Sequence, residues 1–264
     1  MDHSKSLVIL SDIHSNAVAL ERCIAKLKMM GADNLKKFLC LGDVIGYGPQ
    51  PRECMAIAKG FPIIVRGNHE GYMDYSYSEK NLNPVARAAA SWHYHFLNKD
   101  ERNWCLNLPQ VKQVNLPTGM VIEVRHYAPN SRAGYVYNRD EAEKAFKDLP
   151  PEVKLVFVGH THQPVLMEKK ENGKCVYTPA DELKKHFGWD TPLGLDRDSQ
   201  YIVNVGSVGQ PRDEDVRSSL VLYDMKEHEL KFVRVDYDID KVVKMIKENE
   251  KLPNSLGERL LVGK

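Results

Sequence analysis

Leu7-Val8-Ile9-Leu10-Ser11-Asp12-Ile13-His14 is a run of four apolar residues that ends on a carboxylate and an imidazole two positions apart. Beyond it Val18, Leu20, Ile24 and Leu27 recur at helical spacing, so the segment predicts a strand, a polar loop and a helix in that order. The unit returns in looser form. Lys37-Phe38-Leu39-Cys40-Leu41 runs into Gly42-Asp43 and a glycine-rich loop, and Pro62-Ile63-Ile64-Val65 runs into Arg66-Gly67-Asn68-His69-Glu70. Strands that alternate with helices predict a central sheet with helices on its faces, an α/β fold.

Outward from these units the pattern changes. Residues 79–106 are helical in period and rich in alanine and aromatics, while 111–114 and 120–124 read as strands about the turn Pro117-Thr118-Gly119. A helix capped by Asn138 or Asp140 runs to Phe146, and a short apolar strand over 155–158 ends at Gly159. Later strands fall near 164–168, 174–178, 201–205, 220–224 and 230–235, with C-terminal helices over about 239–261. No repeat, low-complexity tract or linker interrupts the chain, so 1–264 reads as a single domain. Between the strands ending at Thr178 and beginning at Tyr201 lie more residues than a hairpin needs, Trp189, Pro192 and Gly194 among them. The stretch 179–200 is therefore read as a surface insertion.

Composition limits the function. With 37 Lys+Arg against 36 Asp+Glu, the formal charge of +1 gives no field for gathering polyanions, which argues against generic nucleic-acid binding. The four-residue apolar run near the N-terminus is far short of a secretory or membrane-spanning segment, so the chain is expected to be cytoplasmic. Five cysteines, an odd number with no CxxC pair, argue against a disulfide framework and a zinc ribbon. They are expected to be reduced and buried.

Five strands run straight into residue types that ligate metals: Asp12-x-His14, Gly42-Asp43, Gly67-Asn68-His69-Glu70, Arg125-His126 and Gly159-His160-Thr161-His162. Sites in open α/β sheets form beyond the carboxyl ends of strands, so these clusters can converge although they are distant in sequence. Mixed carboxylate, amide and imidazole ligands suit borderline divalent transition ions rather than calcium or magnesium alone. Singly, each motif is ordinary: Asp-x-His caps helices, Gly-Asp makes turns, and an isolated histidine is more often a satisfied core residue. The set, in this order, is not. His93 and His95 lie two apart in a helical stretch, on different faces, and His3, His186 and His228 lie in polar sequence expected to be exposed. None of these five is assigned a role.

Taken together the motifs resemble the signature of the calcineurin-like metallophosphoesterases over nearly the whole chain. More narrowly they resemble its compact bacterial and archaeal phosphodiesterase-type members, to which Gly46-Tyr47-Gly48-Pro49 and Asn204-Val205-Gly206-Ser207-Val208-Gly209-Gln210-Pro211-Arg212 also correspond. The resemblance implies a four-layer αββα sandwich of two mixed β-sheets flanked by helices, with a dinuclear metal site at one sheet edge. It implies one metal on Asp12, His14 and His162, a second on Asn68, His126 and His160, and Asp43 bridging them. The catalytic set it implies is Asp43, Asn68 and His69, with His69 acting without ligating. The cofactors would be two divalent transition-metal ions, of manganese, iron, zinc, nickel or cobalt, and the reaction hydrolysis of a phosphodiester by a metal-bridging hydroxide. Hydrolysis of a dinucleoside polyphosphate, or phosphomonoesterase or phosphoprotein phosphatase activity, is the alternative. A non-catalytic protein-binding scaffold is the reading from a different class, and the full ligand set together with His69 opposes it. The expected partner is a small phosphate ester or nucleotide, with no membrane and with the oligomeric state open.

Two departures bear on the site. Tyr127 follows His126 where family members usually have glycine, so the loop must bend without that freedom or the histidine must sit differently. Gly46-Tyr47 stand where phosphoprotein phosphatases have an Asp-Arg pair, which removes a partner for the catalytic histidine and a guanidinium that grips a phosphate dianion. A singly charged diester needs less cationic clamping, and Arg66, Arg125 and Arg212 are the candidates to supply it, Arg66 and Arg212 foremost. Specificity is expected in loops such as 71–77 and the stretch around Trp189.

Overall fold

A computed structural model describes residues 6–74, 82–130 and 134–264. The four residues of β1 (Leu7–Leu10) are apolar without alternation because both faces of the strand are covered. Val8 and Leu10 pack towards helices, while Leu7 and Ile9 pack into the space between two sheets. The same division holds in β11 (Ser218–Asp224), where Leu220 and Leu222 face the helices and Val221 and Tyr223 face the other sheet.

The first sheet has the order β3-β2-β1-β11-β12-β9, with β2 at Phe38–Cys40, β3 at Ile63–Ile64, β12 at Glu229–Val235 and β9 at Leu193–Gly194. The second has the order β4-β5-β6-β10-β7-β8, formed by Val111–Asn115, Val121–Arg125, Val153–Val158, Gln200–Val205, Pro164–Lys169 and Cys175–Thr178 respectively. Both sheets are mixed. Strands β3, β2 and β1 run parallel in the first, and β5, β6 and β10 run parallel in the second. Helices α1 (Ala17–Met29), α2 (Pro51–Ala58), α4 (Pro84–Phe96), α5 (Lys99–Leu106) and α8 (Ile239–Glu248) contribute to the core on the outer face of the first sheet. Helix α6 (Arg139–Lys147) covers the second through Ala142, Ala145 and Phe146. The α/β architecture of two mixed sheets flanked by helices is thus the one expected.

Differences from the sequence reading are local. The helical stretch read over 79–106 is two helices, α4 and α5, because Asn98 stops the first and caps the second by accepting from Glu101 N at 2.9 Å; residues 79–81 lie outside the described residues. The stretch 179–200, read as a surface insertion, carries secondary structure of its own. It carries α7 (Ala180–His186), whose Leu183 is buried between the sheets, and then β9, which pairs with β12 at the edge of the first sheet. A hairpin was the wrong comparison: β7 lies between β8 and β10, so the chain must cross it, and it crosses by way of the other sheet. His228, read as exposed, is buried, with Nδ1 2.8 Å from the Tyr223 hydroxyl, because residue 195 folds back over the β11–β12 turn. The five cysteines are unpaired and buried, as expected. Among the described residues no helix is long and apolar enough to cross a membrane.

Candidate metal centre

The parallel strands of the two sheets end at one edge, and the loops leaving them carry every candidate ligand. Asp12 and His14 follow β1, Asp43 follows β2, and Asn68 opens α3 (Asn68–Gly71) after β3. His126 follows β5, and His160 and His162 follow β6. Asp12, His14, Asp43, His160 and His162 all adopt positive φ, between 48° and 71°, a left-handed conformation that costs an ordinary residue about 1–2 kcal/mol. Five such residues at one edge mark a backbone shaped for what the side chains do.

The side chains form two groups that share one member. Ligand atoms of Asp12, His14, Asp43 and His162 lie within 4.8 Å of one another, as do those of Asp43, His126 and His160. In the first group the ring Nδ1 of His14 faces the Ile45 carbonyl at 3.2 Å and that of His162 faces the Gln210 carbonyl at 2.5 Å. A carbonyl only accepts, so each Nδ1 carries the hydrogen and each Nε2 presents a lone pair. Those two lone pairs point at each other across 2.9 Å. Asp12 Oδ1 stands 3.2 Å from His162 Nε2 and accepts no hydrogen bond, whereas Asp12 Oδ2 is occupied by the amide of His160 at 3.0 Å. Acceptors converging on acceptors in a buried space define a cation site by the chemistry of its donor set.

The second group repeats the logic. His126 Nδ1 is held on the Leu41 carbonyl at 2.8 Å, which leaves Nε2 facing Asn68 Oδ1 at 3.1 Å and Asp43 Oδ2 at 3.3 Å. His160 Nδ1 lies 3.0 Å from the same Asn68 oxygen. Asn68 is oriented by its amide, which donates to the Tyr72 hydroxyl at 2.9 Å. Asp43 splits its oxygens as Asp12 does, with Oδ1 accepting from His69 N at 2.9 Å and Oδ2 turned to both groups.

Electrostatics follow from burial and these contacts. Burial lowers His14 well below the usual imidazole range and, with the charge of Arg212, also lowers His162, so both stay neutral. Burial opposes charge on His126 as well, but the Asp43 carboxylate outweighs it and lifts the imidazole to about 9. Burial raises Asp43 and the His126 and His69 rings pull it down, with the net well below an ordinary carboxylate. Tyr127 leaves His126 in the cluster despite the missing glycine; its ring lies against His160, with centroids 4.8 Å apart.

The model of the calcineurin-like phosphoesterase family matches residues 5–164, well over half of the chain and all seven candidate ligands. The chain belongs to the calcineurin-like phosphoesterases. An uncharacterised protein of Methanocaldococcus jannaschii is 33% identical over 266 residues, covering 98% of this chain and 99% of that one. The crystal structure of a metallophosphoesterase from Sphaerobacter thermophilus matches with TM-score 0.76 at 30% identity, covering 98% of this chain and 100% of that one. A hypothetical protein from Pyrococcus horikoshii shares the fold, with TM-score 0.75 at 19% identity over 98% of each chain.

Around this calcineurin-like centre several residues act that sequence reasoning assigned no role. Glu70 is buried and accepts four backbone N–H groups: Asp43 at 2.8 Å, Val44 at 2.8 Å, Ile45 at 3.2 Å and Gly67 at 2.8 Å. It ties the Asp43 loop to the Asn68 loop, and its place three residues after Gly67 at a helix start was the available signal. The segment 204–212 braces the other side. Val208 N and Gly209 N donate to the carbonyls of Ser11 and Asp12, Ser207 Oγ donates to the Asp12 carbonyl at 2.8 Å, and Gln210 supplies the carbonyl that orients His162. Gly209 admits this contact, since a Cβ there would lie 1.8 Å from the Ile13 oxygen.

His69 stands beside the acceptor groups without joining them. Its ring lies against His14, Tyr47 and Tyr72, and its buried Nδ1 makes no hydrogen bond. Gly46, at φ +105°, passes so close that a Cβ there would sit 2.2 Å from that Nδ1. An aspartate at position 46 is therefore sterically incompatible with this placement of the ring. Burial holds the imidazole down at about 4. Of the three arginines named from sequence, Arg125 pairs with Glu123 at 3.0 Å, and Arg212 reaches the site, with its guanidinium 5.7 Å from the Tyr47 ring centroid and its charge felt by His14, His69 and His162. Arg66 instead donates to the Leu106 carbonyl at the end of α5, at 2.9 Å.

Proposed function

We propose that the chain is a phosphodiesterase that works with two divalent transition-metal ions. The observation that carries the reading is Asp43 Oδ2, shared between two groups of side chains able to ligate a metal. Asp12, His14 and His162 would hold one ion, Asn68, His126 and His160 the other, and Asp43 both. Manganese, iron, zinc, nickel and cobalt all suit this ligand set. When bound, such a pair supplies Lewis-acid charge at the reacting phosphoryl group and makes nearby water more acidic.

The protein's own part is positioning and proton placement. The carbonyls of Leu41, Ile45 and Gln210 fix three imidazoles by their Nδ1 hydrogens, so the donor set is arranged before substrate arrives. In this reading a ring N–H of His69 would donate a hydrogen bond to a phosphoryl or leaving oxygen, and Arg212 would offset charge on the same group. Tyr47 stands where a dianion-binding enzyme of the superfamily has arginine, which favours the singly charged diester over the monoester.

Apoprotein reloaded with each metal and assayed on bis-p-nitrophenyl phosphate, p-nitrophenyl phosphate and a dinucleoside tetraphosphate tests the proposal. The diester should show the highest kcat/KM; preference for either other substrate would overturn the assignment. In the same assay His69→Asn should lower kcat by about 10²–10⁴-fold with metal content unchanged. The loss should be greater for an alkyl leaving group than for nitrophenol, and loss of metal would show His69 to be a ligand.

A further inference from the structure

An aromatic surface leads out of the metal centre that the reaction itself does not use. The Tyr135 ring lies 4.4 Å from the His160 ring, and Tyr137 stacks on Tyr135 with centroids 5.6 Å apart and planes 17° from parallel. Tyr135 is 37% exposed and Tyr137 is 52% exposed, so the stack begins on a candidate ligand and ends in solvent. The chain is brought in deliberately: Gly134 has φ +82°, and a Cβ there would meet Tyr127 Cδ1 at 2.2 Å and His160 Cδ2 at 3.0 Å. No side chain larger than hydrogen allows that approach. Arg212 is near enough that its charge opposes the rise which burial gives both tyrosine hydroxyls.

Two stacked, solvent-facing rings at the rim of a phosphate-ester site are expensive to leave in water and offer flat π surface to whatever is attached to the phosphate. Aliphatic substituents gain little from such a surface. A nucleobase gains much, and does so whatever its identity, because every base has a π face. Resting on the phosphoesterase reading above, we infer that Tyr135 and Tyr137 form a stacking platform for the base of a nucleoside esterified to the reacting phosphate. The substrate class is then a nucleotide ester, with phosphate over the acceptor groups and the base on the tyrosines.

Two p-nitrophenyl esters with the same leaving group test this: that of thymidine 5′-phosphate and that of methyl phosphate. The thymidine ester should be preferred, and Tyr137→Ala should lower the ratio of the two kcat/KM values by about tenfold, chiefly through KM, as loss of one stacking contact predicts. Tyr137→Phe should keep the ratio, since the ring and not the hydroxyl is used. A ratio unchanged by Tyr137→Ala, or lost in Tyr137→Phe as well, overturns the platform. Hydrolysis of neither ester would be a failure of the phosphodiesterase reading, and calorimetric binding to the manganese-loaded protein then decides the platform by itself. AMP should bind more tightly than ribose 5-phosphate, with the difference removed by Tyr137→Ala; equal affinities in the wild type contradict the inference.

Discussion

Glu70 serves four amides with two oxygens, and each oxygen takes two of them: Oε1 from Val44 and Ile45, Oε2 from Asp43 and Gly67. No amide side chain can do this, because one of its two terminal atoms is a donor. Glu70→Gln should therefore destabilise the protein by about 2–4 kcal/mol, as two buried donors are left facing an NH₂ group. Urea unfolding of the metal-stripped protein measures it, and a variant as stable as the wild type would show that the carboxylate is dispensable. Glu70 was in view in the sequence as part of Gly67-Asn68-His69-Glu70, but its partners were not, since three of its four amides belong to a loop more than twenty residues away. The candidate ligands were legible for the opposite reason. Five strands each run into one or two of them, so strand pattern and residue type sufficed to point them to one sheet edge. The distinction between Arg66 and Arg212 was not legible, because it depends on where α5 ends and on the path of 204–212.

At the scale of elements, α4 is pinned to the loop after β1 by His93. Its Nδ1 donates to the Ala89 carbonyl at 2.7 Å, and its Nε2 lies 3.0 Å from Ser15 Oγ, one residue beyond His14. Burial depresses the ring from 6.5 to about 4. Between those values the unfolded chain binds the proton and the folded chain does not, so stability present above pH 6.5 is lost as pH falls towards 4. Of the roughly 3 kcal/mol at stake, about 2 should be gone by pH 5. His93→Gln should remove that share of the acid sensitivity, seen as a smaller drop in urea stability between pH 7 and pH 5 than in the wild type; equal drops would show that His93 is not held neutral. The existence of α4 was readable from its period, but its docking was not, since His93 looks like any helical histidine until Ser15 is placed against it. The connection from β8 to β10 shows the same limit. Its length is explained by a crossing over β7 that only the sheet order reveals, and Leu183 and β9 give the crossing its own place in the core and at the sheet edge.

Across the whole molecule, the parallel strands of two separate sheets discharge at a common edge, and Asp43 is the residue where their contributions meet. Strands β1, β2 and β3 deliver Asp12, His14, Asp43 and Asn68, while β5 and β6 deliver His126, His160 and His162, so neither sheet alone carries a complete donor set. Metal binding should for this reason couple the two halves of the sandwich, contributing stability that chelation removes. The proposed sharing of two ions by the one carboxylate of Asp43 is open to measurement. Its most direct measurement is the metal-to-protein ratio of the apoprotein reloaded with manganese and desalted, set beside that of Asp43→Asn. Two ions per chain are expected in the wild type and at most one in Asp43→Asn, with diester hydrolysis abolished. A wild type that holds one ion, or an Asp43→Asn protein that keeps both and still turns over, would contradict it.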